Sequence, residues 1–140
     1  MAGNSIYIDC AENMAELMAT YPSELTDGVD LHMGDPSPEE ISEIMSGYTG
    51  VLNGHTVMPK PLLEAHIGIL RSIVFLGTGV ANYVGPAAGE ALGIKVRHIA
   101  RYGDRSIAEH AFSLLIAAAH GLGQMDREIR SGTWQAFEGI

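Results

Sequence analysis

The chain has 140 residues, of which 46% are hydrophobic and 18% are charged, so it can bury one core and is too apolar for intrinsic disorder. Its formal net charge is −9, and residues 1–50 contain ten carboxylates and no Lys or Arg. That acidic third argues against nucleic-acid binding, which needs a basic surface. The single cysteine, Cys10, excludes an internal disulfide and a cysteine-rich metal site.

The sequence predicts a cytoplasmic protein that does not enter a membrane. The first ten residues lack the basic segment of a signal peptide and lead directly into a predicted strand. The longest apolar helix, predicted over residues 107–119, is too short to span a bilayer. The six histidines are scattered without metal-ligand spacing, so no metal site is predicted.

The first half of the chain alternates predicted strands with predicted helices. A β-branched and aromatic stretch over residues 6–8 predicts a strand, and the helix after it is expected to end at Pro22. The alternation of apolar and polar residues over 29–33 predicts an edge strand. Ser37 and Glu40 have the spacing of a capping box, which predicts the start of the next helix.

A third strand is predicted over residues 48–52 and ends at Asn53 and Gly54. The Asn-Gly pair is also a hairpin signal. Because the next apolar stretch has helical spacing over residues 62–67, we interpret the pair as a turn between a strand and a helix.

A glycine-rich turn follows the next strand. The uninterrupted apolar run over residues 73–76 predicts a strand covered on both faces, at the centre of a parallel sheet. Gly77, Thr78 and Gly79 then break the strand and leave backbone N–H groups bare of side chains. Ligands of open α/β sheets bind at such carboxyl ends, although two glycines can also serve only a tight turn.

The alternation continues with a helix that begins at Pro86 and ends at Gly93, and with a fifth strand over residues 94–99. Strands that alternate with helices require right-handed crossovers. The predicted fold class is therefore α/β, a doubly wound parallel sheet of five strands.

The last forty residues differ in kind. Ser106 and Glu109 have capping-box spacing and predict the start of a helix whose residues 107–119 are apolar on almost every side. One small sheet domain can cover only one side of such a helix, so we expect a second domain or a second copy of the chain to cover the rest. The sequence Gly121-Leu122-Gly123 is expected to lie inside this helix and weaken it.

Three arginines bracket the end of the fifth strand and the start of the apolar helix. They would favour a small anion if they were free, or they would be solvated and paired with neighbours such as Asp104. We consider the second possibility the better one. The three arginines are Arg97, Arg101 and Arg105.

Four sequence motifs occur in order: FLGTGVANYV, EALGIKV, YGDRSIAEHAFSLLIAAAHGL and MDREIRSGTW. Together they resemble the NAD-dependent D-isomer-specific 2-hydroxyacid dehydrogenases, over about residues 51–134. The resemblance implies a flavodoxin-like substrate domain over residues 1–103. It also implies that residues 104–140 are an interdomain helix and the start of a linker to a Rossmann coenzyme domain.

The same resemblance implies a substrate site at the ends of the third and fourth strands. The turn after the fourth strand would hold the substrate carboxylate through backbone N–H groups, with Thr78 near the coenzyme. Asn53 and Gly54 would form the facing wall. The implied substrate-binding residues are Asn53, Gly54, Gly77, Gly79 and Val80.

The resemblance therefore implies the substrate-binding part of an enzyme that interconverts 2-hydroxy and 2-keto acids. NAD or NADP would act in the complete enzyme, and this chain alone would bind neither. The family's GxGxxG turn and its catalytic Arg, Glu and His would belong to a coenzyme domain beyond Ile140, so no catalytic residue is assigned and the chain alone is expected to be inactive.

The alternative is a stand-alone interaction or regulatory protein in which two chains bury residues 107–119 against each other. A homodimer through this helix is compatible with both hypotheses. A phospho-acceptor module is excluded because it needs an acidic cluster at the first strand, where only Asp9 stands, and an Asp where the third strand ends in Asn53.

Overall fold

The computed structural model describes residues 4–134, and the chain divides after Ala100 into two compact units. Within residues 4–100, the first unit has five strands, five helices and a 3₁₀ turn over Val80–Asn82. The strands are β1 (Ser5–Cys10), β2 (Val29–Met33), β3 (Gly50–Asn53), β4 (Ser72–Phe75) and β5 (Lys95–His98). The helices are α1 (Glu12–Ala19), α2 (Ser23–Thr26), α3 (Ile41–Ile44), α4 (Lys60–Ala65) and α5 (Pro86–Ala91).

The five strands form one parallel sheet in the order β2-β1-β3-β4-β5. This is the flavodoxin-like order, so the predicted α/β fold class is confirmed. The prediction of β2 as an edge strand is also confirmed. The prediction that β4 is the central strand was wrong, because β3 occupies the centre and β4 lies next to the edge strand β5. Along β4 only alternate residues are fully buried, as expected for a strand one place from the edge.

The core lies where the apolar side chains of the strands meet those of the crossover helices. Ile8, Val51 and Ile73 come from three adjacent strands, and Met45 and Leu63 come from the α3 and α4 segments. All five side chains are essentially inaccessible to solvent. Burial of this kind stabilises the fold by roughly 25 cal/mol for each Å² of apolar surface removed from water.

Two helix boundaries follow from local chemistry that the sequence predicted. The Ser37 hydroxyl donates to Glu40 Oε2 at 2.7 Å, and the Glu40 N–H donates to Ser37 Oγ at 3.3 Å, so the capping box before α3 is confirmed. Gly93, with φ +75°, follows the end of α5 in the left-handed conformation that glycine adopts without strain. The short helix α2, which begins directly after Pro22, was not predicted.

The second unit contains α6 (Asp104–Ala119) and α7 (Leu122–Arg130). The predicted capping box at Ser106 was wrong, because α6 begins two residues earlier. Arg101 adopts φ +62° and its Nε donates to the Asp104 carboxylate at 2.8 Å, which starts the helix at Asp104. The helix also ends earlier than predicted: Gly121 adopts φ +62° and separates α6 from α7.

The apolar side chains of α6 are exposed. The exposed fractions are 65% for Ile107, 63% for Phe112 and 62% for Leu115, and no residue of α6 is buried. Among residues 4–134, no helix combines the length and the hydrophobicity that crossing a membrane requires.

Candidate functional site

The predicted site residues meet at the carboxyl edge of β3 and β4. These strands are adjacent and parallel, with Asn53 in register with Phe75. The first residue after β4, Leu76, donates its N–H to the Asn53 carbonyl at 2.8 Å. The structure therefore places Gly54 and the turn that begins at Gly77 on neighbouring strand ends.

The turn after β4 offers a row of backbone donors. The N–H groups of Gly77, Thr78, Gly79 and Val80 have no carbonyl partner among the residues that the structure describes, and the next paired N–H is that of Asn82. Consecutive unpaired N–H groups form a concavity that binds anions without a counter-charge. This arrangement can accept a carboxylate.

The two glycines of this turn have different roles. A Cβ on Gly77 would lie 2.7 Å from Cε1 of Phe75, whose buried ring stacks on Tyr83 with 4.9 Å between ring centroids. Packing against Phe75 therefore favours glycine at position 77. A Cβ on Gly79 would meet nothing nearer than Asn82 Nδ2 at 3.8 Å. Packing within the chain gives no reason for a glycine there.

The other two residues of the turn differ in exposure. Thr78 is exposed, whereas the Val80 side chain is buried and anchors the 3₁₀ turn, with the Val84 N–H donating to the Val80 carbonyl at 2.8 Å. Exposed Thr78 and Gly79 thus lie next to an apolar anchor, Val80, which fixes their position.

Asn53 lies at the predicted position, but its side chain is occupied by its own loop. The buried amide donates from Nδ2 to the Thr56 carbonyl at 2.8 Å, and its Oδ1 accepts the Thr56 N–H at 2.8 Å. Asn53 therefore shapes the loop after β3, and its buried amide is engaged by that loop.

Asp9, at the end of β1, is the organising residue that the sequence analysis missed. Its side chain is fully buried. Oδ1 accepts the Gly54 N–H at 2.8 Å, and Oδ2 accepts the His55 N–H at 2.7 Å. Oδ2 also accepts the N–H and the hydroxyl of Thr56, at 2.9 and 2.8 Å. Four donors hold one carboxylate, so the N–H groups of this loop are not available to a ligand.

The negative charge of Asp9 contributes to raised pKa values of two side chains on β1, those of Tyr7 and Cys10. Burial, and then the negative charge of Asp9, raise the pKa of the Tyr7 phenol. The same two causes, in the same order, raise the pKa of the buried Cys10 thiol. Cys10 is buried, and its raised pKa favours the neutral thiol.

His55 joins the loop after β3 to the loop after β2. Its Nε2 lies 2.7 Å from Asp35 Oδ1, and its Nδ1 lies 3.6 Å from Asp9 Oδ2. Both His55 and Asp35 are more than half exposed, at 54% and 74% of their side chains. Beside this pair is a cavity of about 300 Å³, lined by Asp35, Pro36, Ser37, Pro38, Ile41, His55, Thr56, Val57, Pro59 and Leu62.

Two of the three arginines near β5 are paired with carboxylates of their own unit. Arg101 pairs with Asp104 and Arg105 with Glu109, at 2.8 and 2.7 Å, while Arg97 donates to a neighbouring carbonyl. The predicted Arg101–Asp104 pairing is confirmed. Within residues 4–134, no group of three His, Cys, Asp or Glu side chains is arranged to hold a metal ion.

The described residues do not fit a dinucleotide. Such a site needs a GxGxxG turn between a strand and a helix whose N-terminus receives the pyrophosphate. Gly121 and Gly123 follow α6 rather than a strand, and the Gly77 turn leads into a 3₁₀ turn of three residues. Among residues 4–134, then, neither glycine pair has the strand–turn–helix setting of a GxGxxG turn.

Comparison with known proteins relates this geometry to one fold. The chain is 29% identical over 98 residues to a hydroxypyruvate reductase of Blautia hydrogenotrophica, a match that covers 70% of this chain and 30% of that protein. No protein-family model matches the chain.

Solved structures give the same result. A D-2-hydroxyisocaproate dehydrogenase matches with a TM-score of 0.80 at 15% identity, covering 98% of this chain and 42% of the other. An acyclic imino acid reductase in complex with NADPH and D-Arg matches with a TM-score of 0.78 at 20% identity, covering 96% and 43%. The chain thus spans less than half the length of these relatives, and it has the fold found in D-2-hydroxyacid dehydrogenases.

Proposed function

We propose that this chain is the substrate-binding part of an NAD(P)-dependent D-2-hydroxyacid dehydrogenase, which interconverts 2-hydroxy and 2-keto acids. The observation that carries the proposal is the row of four unpaired N–H groups at the carboxyl end of β4, beside the end of β3. A 2-hydroxy acid and its 2-keto counterpart share a carboxylate, and this row suits a carboxylate.

Each part of the site has a defined task in this proposal. The N–H groups from Gly77 to Val80 bind and orient the substrate carboxylate, and the absence of a side chain at Gly79 lets the substrate approach the backbone. The loop at Asn53 and Gly54 forms the opposite wall. Thr78, exposed in the turn, lies on the side that faces the coenzyme.

The coenzyme and the catalytic groups come from a second domain in this proposal. The misfit between the described residues and a dinucleotide supports that division, as does the larger size of the structural relatives, of which the imino acid reductase is in complex with NADPH. NAD or NADP supplies the hydride chemistry when bound there. The residues of this chain hold the substrate in place.

Substrate binding and catalysis can be tested separately. In an ¹⁵N-labelled chain, pyruvate should shift the amide signals of Gly77, Thr78 and Gly79, with a dissociation constant near the millimolar range that a single small anion reaches. The chain alone should not oxidise NADH in the presence of 2-keto acids. Unchanged amide signals at saturating pyruvate would reject the substrate role, and coenzyme turnover by the isolated chain would reject the division of labour.

A second candidate, favoured by the exposed apolar side chains of α6, is a homodimeric interaction or regulatory protein joined through residues 107–119. An apolar surface of this kind is typical of a protein interface. Light scattering should find a dimer, and Leu115→Glu should convert it to a monomer, whereas the matched control Leu25→Glu on α2 should not. A monodisperse wild-type monomer would reject the dimer.

A further inference from the structure

Asn53 and Gly54 form a chemically labile pair at the end of β3. An asparagine followed by glycine deamidates readily, because glycine has no side chain to shield its backbone nitrogen. That nitrogen attacks the carboxamide carbon of the asparagine, a five-membered succinimide forms, and the carboxamide nitrogen leaves as ammonia. Water then opens the ring to aspartate or isoaspartate. The other asparagines of the chain, Asn4, Asn13 and Asn82, all precede residues that carry a side chain.

The structure holds the carboxamide of Asn53 in place. Its Nδ2 donates to the Thr56 carbonyl and its Oδ1 accepts the Thr56 N–H, both at 2.8 Å. Asn53 is inaccessible to solvent, and its backbone carbonyl accepts the Leu76 N–H at 2.8 Å. Loss of Nδ2 as ammonia would break the first of these bonds, and burial excludes the water that must open the succinimide. The leaving group is therefore retained as long as the loop after β3 stays closed.

The attacking nitrogen is held as well. The Gly54 N–H donates to Asp9 Oδ1 at 2.8 Å, and the Asp9 side chain is fully buried. The nitrogen must lose its proton in order to attack, and a negative charge beside it opposes that loss. Thr56 links the nucleophile to the leaving group, because its N–H and its hydroxyl also donate to Asp9 Oδ2, at 2.9 and 2.8 Å.

We infer that Asn53 is a latent deamidation site, which the hydrogen bonds from Gly54 and Thr56 to Asp9 keep unreactive while the loop after β3 is closed. This chemistry does not depend on the proposed function. Conversion to aspartate replaces the Nδ2 donor with an oxygen next to the Thr56 carbonyl, and it adds a carboxylate to a loop that already surrounds a buried one. Isoaspartate also adds a methylene group to the backbone. Either product would loosen the loop.

The test compares the deamidation of Asn53 in the folded chain and in the chain unfolded by guanidinium chloride, followed by peptide mass spectrometry at mildly alkaline pH. A reaction that needs the loop to open scales with the population of the open state, so the folded chain should react at least about a hundredfold more slowly. In the unfolded chain, Gly54→Ala should slow the reaction severalfold, because the added methyl group shields the nitrogen. Equal rates in the folded and unfolded wild type would overturn the inference.

Two variants test the hydrogen bonds to Asp9, with the fold of each verified by circular dichroism. Asp9→Asn removes the charge that holds Gly54, and Thr56→Val removes the hydroxyl donor while keeping the shape of the side chain. Asn53 should deamidate about tenfold faster in folded Asp9→Asn and severalfold faster in folded Thr56→Val. The exposed control Asp35→Asn should match the wild type. An unchanged rate in folded Asp9→Asn, or in Thr56→Val if Asp9→Asn does not fold, would overturn the inference.

Discussion

The two units of the chain place similar side chains in opposite environments. In the first unit Ile8, Leu63 and Ile73 are completely buried, whereas on α6 Ile107 and Leu115 are exposed. A sheet with crossover helices provides apolar surfaces that face one another, and burial follows within the unit. A single helix that is apolar on most sides cannot bury its side chains against itself, so it needs an apolar surface from elsewhere. The contrast shows that the apolar content of a helix predicts that another surface must pack on it, but does not identify that surface.

The largest expected effect tests whether a buried leucine of the first unit contributes more to stability than an exposed leucine of α6. Leu63→Ala should lower the free energy of unfolding by about 3 kcal/mol, because it deletes three buried carbons and leaves a cavity. The matched change Leu115→Ala on α6 should cost little when urea denaturation is followed at low protein concentration. A cost for Leu115→Ala near that of Leu63→Ala would show that α6 is buried in solution and would break the comparison.

A somewhat smaller loss is expected when the charge that organises the loop after β3 is removed. Asp9→Asn should lower stability by about 2 kcal/mol, since it replaces a buried acceptor of charge-assisted hydrogen bonds with an amide that also presents donors. The exposed control Asp35→Asn should stay within about 0.5 kcal/mol of the wild type. Equal effects in thermal unfolding would contradict the assignment of Asp9.

Two glycines in the turn after β4 allow a comparison within one unit, because Gly77 is expected to matter for packing and Gly79 for binding. Gly77→Ala should lower the free energy of unfolding by about 1 kcal/mol, because the new Cβ meets the ring of Phe75 at 2.7 Å. Gly79→Ala should fold normally but lose pyruvate binding, measured by amide shifts. Retained pyruvate binding in Gly79→Ala would indicate that the substrate does not approach this backbone.

The smallest expected effect concerns the buried His66. Its Nε2 lies 3.2 Å from Ser42 Oγ, and burial lowers the pKa of its imidazole. The unfolded chain therefore takes up a proton near pH 6.5 before the folded chain does, so this contribution to stability is present above that pH and is lost as the pH falls below it. Denaturation at pH 7.5 and 5.5 should show a smaller pH dependence in His66→Gln than in the exposed control His98→Gln.

Much of the fold could be predicted from the sequence because its signals are local. Each strand was identified by a short apolar or alternating run. The Ser37–Glu40 hydrogen bonds of the predicted capping box form, although α3 itself begins only at Ile41. The central place of β4 was wrong because a run of four apolar residues gives no information on which strands pair with it. The start of α6 was wrong because the left-handed Arg101 has no clear sequence signature.

The candidate site was only partly predictable for a different reason. The turn from Gly77 to Val80 is contiguous, so the N–H groups that it leaves without a carbonyl partner could be inferred from its own residues. Asp9 acts on a loop of another strand, and no local pattern connects the two. The available signal was a single acidic residue at the end of a buried strand. Such a residue must have hydrogen-bond donors nearby, but the sequence does not show which segment provides them.

The link between Asp9 and the loop after β3 also has a consequence for folding. The carboxylate that holds the amides of Gly54, His55 and Thr56 comes from 45 to 47 residues earlier in the chain. This loop therefore takes its shape only after β1 and β3 have paired, a long-range event that closes late. The amide hydrogens of Gly54, His55 and Thr56 should therefore exchange with deuterated solvent only as fast as the whole unit unfolds, although their loop lies outside the carboxyl end of β3.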